Sequence, residues 1–263
     1  MTSSKRFVVL KTPWWQCIAA GIPFLSQPGD SLTVVDPKDY QGPNCDRGAP
    51  ETDVIMNPHR APELARVWAE HSEHVILYEA ENLLAPGGWR GASEQVRRRA
   101  PRNEWWNYSA ANSAVFGDTP KPLRIPLGMR AARDRDPDLD VVFVGSLNKR
   151  RDRVLCALVN AGLKVVWAPM GTFGPELALL EARARVVLNM HYYEPGVFES
   201  FRVVPAVARG SVVVSEASID GEGAEFCVAT AAYDALAAVT IKTVRQVKEG
   251  EFQHVSAGYQ TNP

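Results

Sequence analysis

The sequence predicts an α/β protein with two parallel sheets. Three observations favour this class: short apolar runs typical of buried strands, helical stretches between them, and connections of only a few residues. Strands and helices that alternate in this way form a parallel sheet covered by helices on both faces. Because 263 residues are enough for two modest cores, we expect two domains.

The first half of the chain contains candidate strands at 6–10, 32–36, 53–57, 74–79 and 104–108. Candidate helices fit between them at about 61–71, 92–100 and 109–116. A segment rich in proline and charged residues follows at 120–140 and is typical of a linker. We place the boundary near residue 130, which gives domains at 1–130 and 131–263.

The second half alternates more regularly. Its predicted strands lie at 140–145, 164–169, 185–190, 211–216 and 226–230, and its predicted helices at 149–161, 175–184, 198–210 and 233–250. The third of these helices contains Pro205. Two Rossmann-like domains joined by a linker usually face each other across a cleft, with ligands at the carboxyl ends of the strands.

The charge is nearly balanced, since 29 basic and 30 acidic residues give a net charge of -1. This excludes a uniformly basic chain that binds nucleic acid by bulk charge. By segment, however, the balance is -4 over 1–84, +6 over 85–155 and -3 over 156–263. The positive segment predicts a surface that receives phosphate, or alternatively a solvated helix face and a linker. Its basic residues include Arg97, Arg98, Arg99, Arg102, Arg130, Arg133, Arg135, Lys149, Arg150, Arg151 and Arg153.

Several other classes are disfavoured. No apolar run approaches the roughly 20 residues of a membrane helix, and MTSSKRF at the start has no signal-peptide core. The four cysteines, Cys17, Cys45, Cys156 and Cys227, have no CxxC spacing, so neither a zinc site nor a disulfide framework is expected. We therefore expect a cytoplasmic protein with reduced thiols and no membrane span.

The loop after the first strand of the second domain begins with Gly145 and contains Ser146 and Asn148. Because it leads into a helix, its backbone amides and the helix N-terminus favour an anion. Arg150 and Arg151, which follow, could add charge-assisted hydrogen bonds to phosphate. The alternative is a plain tight turn.

A denser group of polar and aromatic residues spans 189–216. Asn189, His191, Tyr192, Tyr193 and Glu194 follow a buried strand directly. In the next helix Glu199 and Arg202 lie one turn apart on one side, and Glu216 ends the following strand. The functional interpretation is that Glu199 contacts ribose or sugar hydroxyls and that Arg202 contacts a phosphate. A surface ion pair is the alternative.

These segments resemble a known family. VVFVGSLNKRRDRVL at 141–155 and VVLNMHYYEPGVFESFRVVPAVARGSVVVSE at 186–216 look like the donor-binding domain of group-1, GT-B-type glycosyltransferases, in the spore-maturation-type branch. LYEAENL at 77–83, WWNYSAANSAVF at 105–116 and RIPLGMR at 124–130 are similar to the end of that family's acceptor domain and its crossover. The resemblance covers roughly residues 74–220. It implies a GT-B-like fold, two Rossmann-like domains, and a nucleotide sugar bound mostly by the second domain.

Site roles follow from the resemblance, position by position. Gly145 would lie against the diphosphate, Arg150 or Arg151 would neutralise it, and His191, Tyr192 and Glu199 would line the donor pocket. Arg202 would hold phosphate or brace the loop. The sequence departs from better-known members where they carry a second Glu, because Pro205 stands there. The ribose contact would then come from Glu199 or Glu216.

The resemblance also implies a mechanism. Such enzymes usually retain the anomeric configuration, and arginines and helix amides can stabilise the leaving diphosphate, so we expect no obligatory metal. The implied donor is UDP-glucose-like. We single out His191, Glu199 and Glu81 for catalysis. If the reaction inverts, a first-domain residue must be the base, and the candidates at its strand ends are Asp36, His59, Glu79 and Glu81.

The acceptor stays open. Trp14 and Trp15 follow the first strand, where a sugar or a base could stack, and we group them with His59 as acceptor-side residues. Trp105 and Trp106 lie in a strand, where one ring is expected to enter the core. The short chain and the positive segment suggest a hydroxymethylated pyrimidine in phage DNA as acceptor. Alternatives are a glycan, a protein or a small molecule, or a non-catalytic nucleotide-sugar-binding module.

Overall fold

The first sheet contains six parallel strands. They are β1 (Lys5–Leu10), β2 (Ser31–Val35), β3 (Thr52–Met56), β4 (Val75–Glu79), β5 (Glu104–Asn107) and β6 (Thr119–Pro120), in the order β2-β1-β3-β4-β5-β6. The structure is a computed structural model that describes residues 4–12, 15–43, 52–86, 88–124, 136–223, 226–227 and 229–250. All five strands predicted in the first half are confirmed to within about one residue.

The helices of the first half pack around this sheet. They are α1 (Trp15–Gly21), α2 (Ala65–Glu70), α3 (Arg90–Arg99) and α4 (Ala110–Phe116), with 3₁₀ turns at Ile22–Phe24, Pro37–Asp39, Pro58–Arg60 and Pro62–Leu64. The predicted helix at 61–71 is shorter, because the segment opens with a 3₁₀ turn at Pro62. One core joins Val8, Ile55 and Leu77 of the strands to Trp68 and Val96 of the helices.

The second sheet contains five parallel strands. They are β7 (Leu139–Val144), β8 (Val165–Ala168), β9 (Ala184–Asn189), β10 (Val213–Glu216) and β11 (Ala229–Ala231), in the order β11-β10-β9-β7-β8. The helices are α5 (Lys149–Asn160), α6 (Gly174–Arg183), α7 (Ser200–Ala208) and α8 (Tyr233–Lys248). Val141, Phe143, Leu158, Leu188 and Val244 belong to the core of this sheet. The predicted α/β class with two Rossmann-like parallel sheets is therefore confirmed.

The chain divides into two compact units. Unit 1 comprises Met1–Leu127, His191–Pro205 and Ala217–Phe226, and unit 2 comprises Gly128–Met190, Ala206–Glu216 and Cys227–Pro263. Two segments that follow strands of the second sheet thus group with unit 1. The proposed boundary near residue 130 lies outside the described residues. Within the described ranges, no helix is both long and apolar enough to cross a membrane.

Candidate functional site

Each sheet has one place where its connections diverge. In the first sheet β1 lies between β2 and β3, and in the second β7 lies between β8 and β9. The chain leaves β1 and β7 toward one edge of the sheet and returns to the other side for β3 and β9. Ligands of open α/β sheets bind outside the carboxyl ends of the strands at such a point. A site is therefore expected at the residues that follow β1, β3, β7 and β9.

In unit 1, an unusual backbone conformation follows β3. Asn57 has a φ of 51°, a left-handed value that is uncommon for a residue with a side chain. The Asn57 Oδ1 atom accepts a hydrogen bond of 2.8 Å from the amide of Ala80, which follows β4. This contact fixes the turn that leads into Pro58–Arg60 and so fixes His59.

His59 and Glu79 form a buried pair at this edge. The His59 Nδ1 atom lies 3.0 Å from Oε2 of Glu79 and 2.9 Å from Oε1, and neither side chain is exposed. A carboxylate can only accept, so we assign the imidazole proton to Nδ1. Within the described part of the chain, His59 Nε2 is buried without a hydrogen-bond partner. The pair thus fixes the orientation of the imidazole ring.

Glu81 lies beside this pair. Its Oε1 atom is 2.5 Å from Nη2 of Arg60. Burial raises the pKa of Glu81, and the Arg60 charge opposes that shift. The Arg60 guanidinium carbon lies 4.2 Å from the centre of the Trp89 ring, and the same ring packs against His59 with centroids 4.8 Å apart. Trp89 therefore covers the imidazole.

The segment 191–205 of unit 1 contains the polar group predicted after β9. His191 is buried, and a Cβ atom at Gly196 would lie only 2.2 Å from its ring, so the close packing requires glycine there. Glu199 Oε1 is 4.0 Å from His191 Nδ1, and the Glu199 carboxylate pairs with Arg202 one turn along. The structure therefore brings these three predicted residues together.

A buried tyrosine connects the predicted catalytic residues. Burial raises the pKa of Tyr108 well above its usual value, and the charges of Glu199 and Glu81 raise it further. The Tyr108 ring also lies edge-on to Phe201, with centroids 6.4 Å apart. Because both carboxylates act on the same hydroxyl, Glu81 and Glu199 lie in one electrostatic neighbourhood of unit 1.

Tyr192 and Tyr193 also lie in this segment. Their rings meet edge-on at 4.9 Å between centroids, and Tyr192 is 39% exposed. The segment is fastened to the loop after β4, where Nδ2 of Asn82 donates a 2.9 Å hydrogen bond to the carbonyl of Pro195. Tyr192 is thus a partly exposed aromatic surface on an anchored loop.

In unit 2, the loop after β7 has the geometry of an anion-binding turn. Gly145 has a φ of 138°, which favours glycine. Asn148 caps α5, since its side chain accepts a 2.9 Å hydrogen bond from the amide of Arg151. The Trp167 indole donates to the Gly145 carbonyl at 2.8 Å and holds the loop beside β8.

Arg151 occupies a different place from the one predicted for a phosphate ligand. It is only 1% exposed and donates to the carbonyl of Ser146 at 2.8 Å and to the carbonyl of Met190. These contacts join the loop after β7 to the residue after β9. In this structure the side chain therefore braces the two strand ends from inside the fold.

Arg150 and Glu216 form an ion pair at the same edge. Arg150 Nη1 lies 2.6 Å from Oε2 of Glu216, and Nη2 contacts the other oxygen. The Arg150 guanidinium stacks 3.9 Å from the centre of the Tyr233 ring. Nearby strand ends are joined by a 2.9 Å hydrogen bond from Nδ2 of Asn189 to Oγ of Ser215. The predicted donor residues of unit 2 thus lie along one row of strand ends.

The structure places the acceptor-side residues in different settings. His59 belongs to the buried pair described above, whereas Trp15 begins α1 and is half-buried instead of lying in a loop. Trp14 lies outside the described residues. Asp36 caps the 3₁₀ turn Pro37–Asp39 by accepting from the amide of Lys38 at 3.3 Å. The structure thus gives Asp36 a local structural role.

Part of the positive segment is neutralised inside the fold. Arg97 forms two hydrogen bonds to Asp118, at 2.6 and 2.7 Å, and its guanidinium carbon lies 3.7 Å from the centre of the Trp105 ring. Both Trp105 and Trp106 are buried, although only one ring was expected to be. Arg130, Arg133 and Arg135 lie outside the described residues. The net charge of +6 over residues 85–155 therefore overstates the positive charge available to a ligand.

Four residues described at the unit 1 site were not predicted: Asn57, Arg60, Trp89 and Tyr108. Asn57 precedes Pro58 at the end of a strand, and Asn-Pro is a turn signal that could have drawn attention to it. Trp89 and Tyr108 reach the site from separate loops. No spacing in the sequence places them next to His59 or Glu81.

Comparison with known proteins finds likenesses of low sequence identity. No family model matches the chain. A protein named uncharacterized protein L140, from Acanthamoeba polyphaga mimivirus, is 28% identical over 123 residues, which is 43% of this chain and 40% of the viral protein. The crystal structure of TarM aligns with 76% of this chain and 48% of TarM, at 10% identity and a TM-score of 0.48.

A further solved structure, the C-terminus of Escherichia coli RcsC with its phosphoreceiver domain, aligns over 96% of this chain at 11% identity and a TM-score of 0.30. The matches to L140 and TarM span less than half of either protein's length. Structural likenesses at this level carry no argument about activity.

Proposed function

We propose that this chain is a glycosyltransferase that moves a sugar from a nucleotide-sugar donor to a hydroxyl acceptor. The observation that carries the proposal is the carboxyl edge of the second sheet. There a positive-φ glycine leads into the capped helix α5, beside the Arg150–Glu216 pair. The resemblance of 141–155 and 186–216 to GT-B-type enzymes supports the same conclusion.

We assign binding of the donor's diphosphate and ribose to residues of unit 2. The Gly145 loop and the first amides of α5 bind the diphosphate. Arg150 turns from Glu216 toward a phosphate oxygen, since an arginine forms strong two-point contacts with either group. Glu216 accepts hydrogen bonds from the ribose hydroxyls. Arg151, which is buried, serves as a brace for the loop.

We assign contacts with the donor sugar to residues of unit 1. His191 and Glu199 contact the sugar hydroxyls, Tyr192 offers its exposed ring to an apolar face of the sugar, and Arg202 orients Glu199 through their ion pair. Glu81, held by Arg60, completes the set of proposed catalytic residues. Preorganised charges of this kind act without a change in protein protonation.

The decisive experiment is a thermal-shift screen with UDP, GDP and dTDP sugars, because an occupied site raises apparent stability by mass action. We expect UDP-glucose to raise the melting temperature, and Glu199→Ala and Arg202→Ala to abolish the rise without unfolding the protein. Matched controls are Glu70→Ala and Arg66→Ala, an exposed pair of the same kind. Full shifts in both test variants would refute this donor site.

The proposal includes no obligatory metal, because arginines and helix amides supply the positive charge that the diphosphate needs. The shift with UDP-glucose is therefore expected to persist in EDTA. A shift that requires added Mg²⁺ or Mn²⁺ would contradict this part of the proposal.

Hydrolysis separates the enzyme from a non-catalytic binding module. An active transferase releases UDP slowly from UDP-glucose when only water is present, whereas a binding module stabilises without turnover. A shift without any UDP release over a day would favour the binding module.

For the acceptor, we propose a hydroxymethylated pyrimidine in DNA as the first candidate to test. Arg102, Lys149 and Arg153 belong to the positive segment and are exposed in the structure. Binding to duplex DNA that falls steeply with salt would support this acceptor. Absence of binding at low salt would direct the search to a glycan, a protein or a small molecule.

A further inference from the structure

We propose that His59 and Glu79 form the base that removes the proton from the acceptor hydroxyl, so that transfer proceeds with inversion of the anomeric configuration. This inference rests on the proposed function and deepens it. It differs from the retention that the family resemblance implies, because a reaction assisted only by the leaving diphosphate needs no protein base.

The first support is position. His59 lies in the turn after β3, next to β1, where the connections of the first sheet diverge. Two residues earlier Asn57 holds a left-handed backbone that a hydrogen bond from the Ala80 amide keeps in place. A strained conformation persists only where the surroundings fix it, and such residues cluster at functional sites. Here the left-handed backbone at Asn57 directs the following turn so that the His59 imidazole lies at the end of β3.

The second support is the state of the imidazole. Glu79 accepts a hydrogen bond from Nδ1 through Oε2 at 3.0 Å, and its Oε1 atom lies 2.9 Å from the same nitrogen without a hydrogen bond. This fixes the tautomer and leaves the Nε2 lone pair as an acceptor. A buried nitrogen that never meets a partner carries an uncompensated desolvation cost. A hydroxyl that donates to Nε2 removes that cost, and Glu79 stabilises the imidazolium that forms.

The third support is the cover over the ring. Trp89 packs against His59 at 4.8 Å between centroids, and the Arg60 guanidinium, paired with Glu81, lies 4.2 Å from the Trp89 ring centre. Trp89 itself is only half-buried. Acceptor or water reaches Nε2 only when this indole moves aside. The arrangement thus makes hydrolysis of the donor through this base slow without preventing it.

The step is balanced with these groups alone. The acceptor O–H bond breaks, its proton goes to Nε2 of His59, and the acceptor oxygen forms a bond to the anomeric carbon. The bond from that carbon to the diphosphate oxygen breaks, and the nucleoside diphosphate leaves with the electron pair. His59 then returns its proton to solvent. Attack opposite to the leaving group inverts the configuration.

The test uses the full chain and the nucleotide sugar with the largest thermal shift, UDP-glucose in the first instance, with water as acceptor. Proton NMR at early time points reads the anomer of the released glucose. Inversion gives β-glucose from this α-linked donor, and α-glucose as first product would overturn the proposal. The donor thermal shift is independent of this outcome, so its absence would refute the proposed function instead.

Variants test the residues themselves. We expect His59→Ala and Glu79→Gln each to reduce hydrolysis about 100-fold or more, the usual contribution of a positioned base, with the donor thermal shift unchanged. Because His59 is buried, imidazole added to His59→Ala is expected to restore part of the rate in a folded protein. The control is His71→Ala, whose Nδ1 contacts the Val67 carbonyl. Unchanged hydrolysis in folded His59→Ala would overturn the assignment.

Removal of the Trp89 ring is expected to change the rate of hydrolysis in the opposite direction. Trp89→Ala admits water to Nε2, so hydrolysis of UDP-glucose is expected to rise several-fold above that of the unaltered chain. The double variant His59→Ala, Trp89→Ala is expected to lose this gain. A gain that survives without His59 would mean that Trp89 acts on some other group and would contradict the proposal.

Discussion

The two sheets have the same order for their first five strands, but their carboxyl edges are built differently. In the first, the buried side chains of His59 and Glu79 pair, and the Trp89 ring packs against His59. In the second, the Gly145 loop and the Arg150–Glu216 pair surround the start of a twelve-residue helix. The shared topology fixes where a ligand binds, and the side chains then decide the chemistry. The first edge suits proton transfer, and the second suits an anion.

The largest effect is expected for Arg151, which holds the second edge together from inside. Arg151→Ala leaves the carbonyls of Ser146 and Met190 without their donor and opens a cavity. We expect the free energy of unfolding to fall by about 3 kcal/mol or more, as measured by urea denaturation, and the donor thermal shift to disappear.

Arg153→Ala is the matched control for this prediction, since Arg153 lies on the same helix and is exposed. A surface substitution of this kind is expected to change stability by less than about 0.5 kcal/mol. Equal effects of the two substitutions would show that the second edge does not depend on its buried arginine.

A smaller effect is expected for the Arg150–Glu216 pair, whose side chains are 17% and 7% exposed. Arg150→Ala should lower the free energy of unfolding by about 2 kcal/mol, as for hydrogen bonds between charged groups. A double-mutant cycle with Glu216→Ala should give a coupling of about 1–2 kcal/mol. Additive effects would mean that the pair is not coupled. The thermal shift with UDP-glucose should weaken in Arg150→Ala even where the fold is kept.

Much of this fold could be predicted from the sequence because buried parallel strands have a strong signal. The runs at 140–145 and 185–190 are continuous apolar segments, and β7 and β9 lie within one residue of them. In contrast α1 and β6 were missed. The two-residue β6 is too short to show periodicity. The seven-residue α1 follows Trp14 in the sequence, whereas the equally short α4 follows a cap residue, Ser109.

The site could be predicted only in part. The proximity of His191, Glu199 and Arg202 could be predicted because they are close together in sequence, and the structure joins them. The approach of Glu81 to Tyr108 depends on how separate loops pack, which no local pattern encodes. The role of Arg151 was missed for a physical reason. A basic residue after a glycine loop looks the same in sequence whether it faces a ligand or two backbone carbonyls.

The smallest effect is expected at the opposite edge of the second sheet, where Asp138 precedes β7 and Arg183 ends α6. The Arg183 guanidinium lies 2.6 Å from the Asp138 carboxylate and lowers the pKa of Asp138 to about 2. The stabilisation is therefore full above about pH 4 and is lost as the pH falls toward 2. The difference in melting temperature between the unaltered chain and Arg183→Ala should shrink over that range, while the UDP-glucose shift at neutral pH stays unchanged. A difference that is constant with pH would show that the pair adds nothing to stability, and a lost UDP-glucose shift would mean that donor binding is not confined to the carboxyl edge.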